Sequence, residues 1–303
     1  MRCLIIGYGS IGKRHAHVLK NLGCEVVLMT GQKITRFNCY TNLQDALAMP
    51  TDLIVIANAT YLHYSTLVDV IRCHYQGVVL VEKPLFYNME FLPNNKIKKI
   101  LVGYNLRFCE ALHFLKKILQ EEKLISFSVN VGHHLPLWRK DTDYRQCYSA
   151  KKSQGGGVLR DLSHELDYSL WLCGACIQVT SVGGKYSELD IDCEDVYSIL
   201  MRCTECPVVN IQINYLDRVK RRDIIIHTQK HTIYVDLLKG KVMIDDVVAF
   251  VSDDALTNSY IRQHEAIVAN DWDTFCSYAE GLKIVKLIEQ IEKANHTQQW
   301  VNA

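Results

Sequence analysis

The chain has 303 residues, with 34 Lys and Arg against 33 Asp and Glu, a formal net charge of +1 and 49% apolar residues. That length favours two domains over one, and the near-zero charge gives no electrostatic reason for a nucleic-acid or anionic-membrane partner. No apolar run approaches the roughly 18 residues of a membrane span, and glycines interrupt the N-terminal apolar stretch too early for a signal peptide, so the sequence reads as cytoplasmic.

Arg2–Ile6 reads as a buried strand, Gly7-Tyr8-Gly9-Ser10-Ile11-Gly12 as a turn, and the residues through Leu22 as a helix. Gly-x-Gly-x-x-Gly between a strand and a helix is the dinucleotide-binding arrangement. The first glycine permits the turn, the second lets the backbone approach a pyrophosphate, and the third lets helix and strand pack closely. Amides of the helix N-terminus then hold the phosphates. The next strand, Glu25–Met29, ends at Thr30-Gly31-Gln32-Lys33. No acid stands there to hold a ribose 2′-hydroxyl, whereas Thr30, Lys33 and Arg36 offer a hydroxyl and cations suited to a 2′-phosphate. NADP(H) is therefore favoured over NAD(H).

A helix over Leu43–Met49, a strand over Asp52–Ala57, a helix over Ser65–Cys73 and a strand over Val78–Val81 follow. Such alternation predicts a parallel, doubly wound sheet that binds ligands at its carboxyl edge. Asn58 and His63 follow the third strand, and Glu82-Lys83-Pro84 follows the fourth. Pro84 fixes the chain direction and would hold Lys83 at that edge, beside a bound nicotinamide. Val102–Phe108 reads as the last strand and its exit, with a helix to about Glu122. The expected domains are 1–122 and 123–303, the C-terminal helix packing back on the first.

From Ile125 the pattern turns strand-like. A polar, aromatic loop, Arg139–Ala150, precedes Gly155-Gly156-Gly157. Trp138, Tyr144, Arg145 and Tyr148 suit a polyhydroxylated or anionic ligand, through ring stacking and forked hydrogen bonds. The glycine triplet leads into one helix ending at Gly174. Leu162, Leu166 and Leu170 form its buried stripe, and Asp161, His164, Glu165 and Tyr168 share another face. A carboxylate one turn before an imidazole is a way to orient a general acid/base. Strands are expected over Ile177–Lys185, Val196–Met201, Val208–Tyr215, Asp223–Thr228, Thr232–Asp236 and Lys241–Ile244, and helices over Ser259–Ala269 and Cys276–Ala294. The 12 cysteines are scattered through apolar segments, as in a reducing compartment. Two Cys-x-x-Cys pairs, Cys173/Cys176 and Cys203/Cys206, sit at a helix end and a hairpin turn, and no metal is expected there.

The succession of Gly-x-Gly-x-x-Gly, Asn58 with His63, Glu82-Lys83-Pro84 and Gly-Gly-Gly-x-Leu-x-Asp with a following histidine resembles the Gfo/Idh/MocA family of oxidoreductases over nearly the whole chain. The resemblance implies a Rossmann domain, then an open-faced, mainly antiparallel sheet domain, and a homodimer or homotetramer formed through that sheet. It implies NAD(P)-dependent hydride transfer on a hydroxyl or ketone of a sugar, cyclitol or nucleotide sugar, and one branch is associated with bacterial surface-sugar metabolism. Position by position, Lys83, Asp161 and His164 are the implied catalytic residues. Gly7, Tyr8, Gly9, Ser10, Ile11, Gly12, Asn58, His63, Glu82 and Lys83 are the implied cofactor contacts, and Lys83, Arg107, Trp138, Tyr144, Arg145, Tyr148, His164 and Glu165 the substrate contacts. Two departures stand out. The stretch 85–100 lacks the helix of relatives, and the histidine falls three residues after Asp161, where four is usual, leaving Glu165 as a second candidate for the proton. A non-catalytic dinucleotide sensor of the same fold, or a reductase of a non-sugar carbonyl or imine, uses the same residues.

Overall fold

The structure is a computed structural model that describes residues 1–138, 142–252 and 255–303. It resolves into two compact units, one of Met1–Asn105 with Tyr260–Val285, the other of Leu106–Ser259 with Lys286–Ala303. The sequence places that division near residue 122, but the chain passes into the second unit at Leu106 and later returns to the first.

In the first unit, six parallel strands are β1 (Arg2–Ile6), β2 (Glu25–Met29), β3 (Asn38–Tyr40), β4 (Leu53–Ile56), β5 (Val78–Val81) and β6 (Lys99–Val102). Helices α1 (Ser10–Asn21), α2 (Leu43–Ala46) and α3 (His63–Arg72) connect them. β1, β4 and β5 are buried along their length, as strands covered on both faces must be. The order β6-β5-β4-β1-β2-β3 reverses direction at β1, the switch point where doubly wound sheets take ligands. Register aligns the carboxyl ends, with Ile6 opposite Met29 and Ile56, and Val81 opposite Ile56 and Val102. Gly7, Thr30, Ala57, Glu82 and Gly103 therefore leave the sheet together.

The second unit holds α4 (Glu110–Leu119), β7 (Leu124–Gly132), α5 (Val158–Asp161), α6 (His164–Cys173), β8 (Cys176–Gly184), β9 (Val196–Cys203), β10 (Val208–Asn214), β11 (Arg221–Thr228), β12 (Thr232–Asp236), β13 (Lys241–Ile244) and β14 (Val247–Val251). Helices α7 (Ala255–Ala269) and α8 (Tyr278–Thr297) and the two-residue strands β15 (Cys276–Ser277) and β16 (Val301–Asn302) finish the chain. β15 adds antiparallel to β6, and β16 to β8. The second sheet runs β14-β13-β12-β11-β7-β10-β9-β8-β16, antiparallel except where β10 lies beside β7. Val209, Ile211 and Ile213 of β10 and Ile224 and Ile226 of β11 point to the buried face, which α5 and α6 cover. Among the described residues no helix is long and apolar enough to cross a membrane.

The helix expected from the glycine triplet to Gly174 is two. α5 ends at Asp161, Leu162 leaves helical geometry, and α6 begins at His164. Nor does α6 present a polar side to water, since His164, Glu165, Asp167 and Tyr168 are all buried. Arg221 and Arg222, in the charged stretch that follows Asp217, belong to β11.

Candidate functional site

The first unit gathers the cofactor candidates along its carboxyl edge. Gly7 has φ +93°, and a Cβ there would lie 2.7 Å from the Asn58 amide nitrogen; one at Gly12 would strike the Gly7 carbonyl. Those two glycines are needed for packing within the protein. A Cβ at Gly9 would meet nothing within 4 Å, so the loop is open at the position where a dinucleotide phosphate approaches. Gly9 caps α1, whose first turn carries no acid and whose terminal amides have no side-chain cap. The residues fit a pyrophosphate: free donors, a positive helix end and room for the anion.

Around that loop the Gln32 amide donates to the Tyr8 carbonyl at 3.3 Å, and Arg36 donates to the Tyr8 hydroxyl through Nε at 3.1 Å and through its terminal nitrogen. Thr30 Oγ1 accepts from the Gln32 backbone N–H at 3.2 Å, while Lys33 is exposed. Ser10 and Ile11 open α1. The Asn58 amide donates to Thr66 Oγ1 at 2.8 Å. His63 is buried, with Nδ1 3.0 Å from the Pro84 carbonyl and Nε2 3.2 Å from that of Asn58. A neutral ring donates to one of them at a time, and burial holds its pKa below the usual value. His63 thus braces the turns that carry Asn58 and Lys83.

Glu82 anchors a buried chain that the sequence does not announce. Its Oε2 accepts from the Lys83 amide at 3.2 Å, its Oε1 lies 2.8 Å from His15 Nε2, and His15 Nδ1 lies 2.7 Å from His264 Nε2. With Glu82 ionised, a neutral His15 donates through Nε2 and its Nδ1 accepts the proton of His264 Nε2. Gly103 is dictated by this carboxylate, since a Cβ there would sit 2.7 Å from Glu82 Oε1.

The second unit holds the other candidates. At Gly157 φ is +112°, and a Cβ would strike the Glu194 carboxylate; at Gly156 it would strike the Tyr148 carbonyl. The glycine triplet thus admits packed protein neighbours. The Glu194 carbonyl and carboxylate accept from the amides of Val158 and Leu159 at 3.1 and 3.3 Å, which caps α5. Asp161 is buried at its end, where the Tyr215 hydroxyl donates to Oδ2 at 2.7 Å. Burial, then the Asp161 charge, push the Tyr215 phenol well above its usual pKa, so it stays a donor. Tyr215 continues the inward period-two series Val209, Ile211, Ile213, the signal that could have found it.

Trp138 packs edge-on to Tyr215 with centroids 5.2 Å apart, its indole donating to the His133 carbonyl at 2.8 Å. Trp138 and Tyr144 line a small cavity with Leu135, Thr142, Cys147 and Ser149. Tyr148 opens the turn Tyr148–Ala150 before the glycines. Arg145 faces outward, forked onto Asp143 at 2.7 to 3.0 Å, and Asp143 is accordingly held below the usual carboxylate range. Arg139, Lys140 and Asp141, part of the same expected loop, lie outside the described residues.

His164 is buried as the first residue of α6, three positions after Asp161 but across the break at Leu162 and Ser163. Glu165 is fully buried and meets Arg222 Nε at 2.9 Å. Arg107, expected to face substrate, instead lies inside the unit, forked onto Asp167 at 2.8 to 3.2 Å. Among the described residues no group of three or more His, Cys, Asp or Glu is placed to hold a metal.

A model of an oxidoreductase family with an NAD-binding Rossmann fold matches residues 1–96, and one of the GFO/IDH/MocA C-terminal domain matches residues 117–234. No curated protein matches the chain by sequence. Among solved structures, levoglucosan dehydrogenase in complex with NADH is similar at TM-score 0.84 and 17% identity, covering 100% of this chain and 98% of that one. The WlbA dehydrogenase from Bordetella pertussis, in complex with NADH and UDP-GlcNAcA, gives 0.80 and 19%, covering 100% and 98%. GenD2 from gentamicin A biosynthesis, in complex with NAD, gives 0.80 and 18%, covering 100% and 96%. With a dinucleotide-type edge in one unit, an open sheet in the other and both family models matched, the chain belongs to the Gfo/Idh/MocA family of NAD-binding oxidoreductases.

Proposed function

We propose that this oxidoreductase moves a hydride between a nicotinamide and a hydroxyl or keto carbon of a sugar, cyclitol or nucleotide sugar. The observation that carries the reading is the shared carboxyl edge of the first unit, where the glycine loop, Asn58 and Glu82-Lys83 leave neighbouring strands. The relatives named above bind NADH or NAD, one of them together with UDP-GlcNAcA. Thr30, Lys33 and Arg36, with no carboxylate at the end of β2, favour NADP(H) over NAD(H).

The bound nicotinamide supplies or accepts the hydride. Lys83, its backbone held by Glu82, donates a hydrogen bond to the reacting oxygen. His164 takes or returns the hydroxyl proton, and Asp161, fixed by Tyr215, stabilises the charged imidazole. Glu165 is committed to Arg222 and is the weaker base candidate. Trp138 and Tyr144 offer ring faces and Tyr148 a hydroxyl to a polyhydroxylated substrate. A second copy pairs on the open sheet face, where Val182 and Leu200 are exposed.

The test is fluorescence titration with NADPH and NADH, then turnover on a panel of keto-sugars and nucleotide sugars. Lys83→Met and His164→Ala are each expected to lower kcat by about 100-fold or more with cofactor Kd nearly unchanged. Glu165→Gln is expected to lower Tm and keep kcat within a few-fold. An active His164→Ala removes the assignment, and tight cofactor binding without turnover on any substrate makes the protein a dinucleotide sensor.

A further inference from the structure

Two Cys-x-x-Cys segments far apart in sequence are joined at one end of the nine-stranded sheet. Cys173 is the last residue of α6 and Cys176 the first of β8; Cys203 ends β9 and Cys206 lies in the turn to β10. Their backbones are tied together: Glu205 N donates to Cys173 O, Thr204 N to Ala175 O and Cys203 N to Cys206 O, each at 3.0 Å. Gly174, at φ +80°, is required because a Cβ there would strike the Thr204 side chain.

The thiols associate across the two motifs, Cys176 with Cys203 and Cys173 with Cys206. They do not converge as a metal site among the described residues. Cys176 and Cys203 are directly opposed on β8 and β9, with a bulge after Cys176. Opposed antiparallel residues have Cα atoms roughly 4.5–5.5 Å apart, inside the range a disulfide spans without moving the backbone. Access separates the pairs: Cys176 is part-exposed, while Cys203 is 4% exposed and Cys173 and Cys206 are 0%. The hydrogen bond from the Cys203 thiol lowers the pKa of Cys176 and raises that of Cys203, which makes the part-exposed residue the better thiolate.

We propose that Cys176 and Cys203 are a reversible thiol–disulfide site that reacts with low-molecular-weight disulfides, while Cys173 and Cys206 stay a buried dithiol behind it. With glutathione disulfide, the Cys176 thiolate attacks one sulfur, breaks the S–S bond and expels one glutathione thiolate. Cys203 then gives up its proton and attacks the Cys176 sulfur of the mixed disulfide, expelling the second glutathione. Two protein thiols are oxidised, one glutathione disulfide is reduced, and the two protons leave on two glutathione molecules. The cross-link fastens β8 to β9 beside the end of α6.

The experiment uses the full chain with Cys39→Ser, which removes the exposed cysteine, incubated folded with glutathione disulfide and digested without reductant for peptide mass spectrometry. A Cys176–Cys203 linked peptide is expected in most molecules, with Cys173 and Cys206 still alkylatable and the link lost on adding dithiothreitol. Adding Cys203→Ser is expected to stop the reaction with one glutathione on Cys176; adding Cys176→Ser leaves Cys203 unmodified, circular dichroism confirming that both fold. Links within a motif, Cys173–Cys176 or Cys203–Cys206, would overturn the proposal. So would an unmodified Cys176, or one zinc ion per purified chain released on alkylating these four cysteines. Mapping of the parent decides without the serine variants.

Discussion

Glu82, His15 and His264 are buried in a hydrogen-bonded row whose outer members are 182 residues apart in sequence, and His63 is buried nearby in the same unit. Burial holds the imidazoles of His264 and His63 below their usual pKa of 6.5. In the unfolded chain each takes up a proton as the pH falls through about 6.5, and in the folded chain it does not. The unfolded state then binds more protons, so stability declines on acidification, by up to about 1.4 kcal/mol per pH unit for each ring. Urea denaturation is expected to show roughly 1–3 kcal/mol lost between pH 7.5 and 5.5, with a smaller loss in His264→Leu; an equal loss in that variant removes His264 as a cause. The fork between Arg107 and Asp167 makes a second case, with side chains 4% and 1% exposed. Asp167→Asn removes the charge forked onto the buried Arg107 guanidinium and is expected to cost about 3–5 kcal/mol, read from the same denaturation curves. Arg107 was a substrate contact through the family resemblance, and its partner Asp167, 60 residues on, was not visible in the sequence. Lys83, Asp161 and His164 stood out because each sits in a short local motif. Tyr215 and His264 are joined to that chemistry only through the folded chain.

Among elements, the glycine loop separates packing from binding. Gly7→Ala introduces a strained φ and a contact with the Asn58 backbone, so it is expected to cost about 2 kcal/mol or more and lower Tm. Gly9→Ala meets no protein atom. It is expected to leave Tm within about 1 °C and weaken dinucleotide binding about 10-fold or more, because the added methyl occupies the phosphate's approach. Fluorescence titration beside thermal melts checks both. Strands with clear patterning were legible: Val78–Val81, Thr232–Asp236 and Lys241–Ile244 have the bounds the sequence predicts. β3, β15 and β16 were not, since two or three residues carry no period. β14 was missed because its row of apolar residues lacks alternation; Asp245 and Asp246, both at positive φ, make the tight turn leading into it. The break between α5 and α6 also escaped, because Leu162 continues the leucine spacing while its backbone leaves the helix.

At the scale of the molecule, the first unit draws on two separated parts of the chain. β15 covers the outer edge of β6, and Gly281 of α8 lies against Val102 and Leu85, where a Cβ would come within 2.6 Å of Val102. A fragment of residues 1–122, the division the sequence suggested, lacks β15, Gly281 and His264. It leaves Leu85 and Val102 uncovered and His15 without its neighbour. We expect it to aggregate or to give a non-cooperative melt by circular dichroism, and a cooperative melt would show that the returning segment is dispensable. The same return orders events during synthesis. The ribosome makes the glycine loop first, yet His264 emerges 249 positions after the His15 it touches. Until Tyr260–Val285 is made the first unit lacks β15 and His264, so the outer edge of β6 stays unpaired while the whole second sheet is translated.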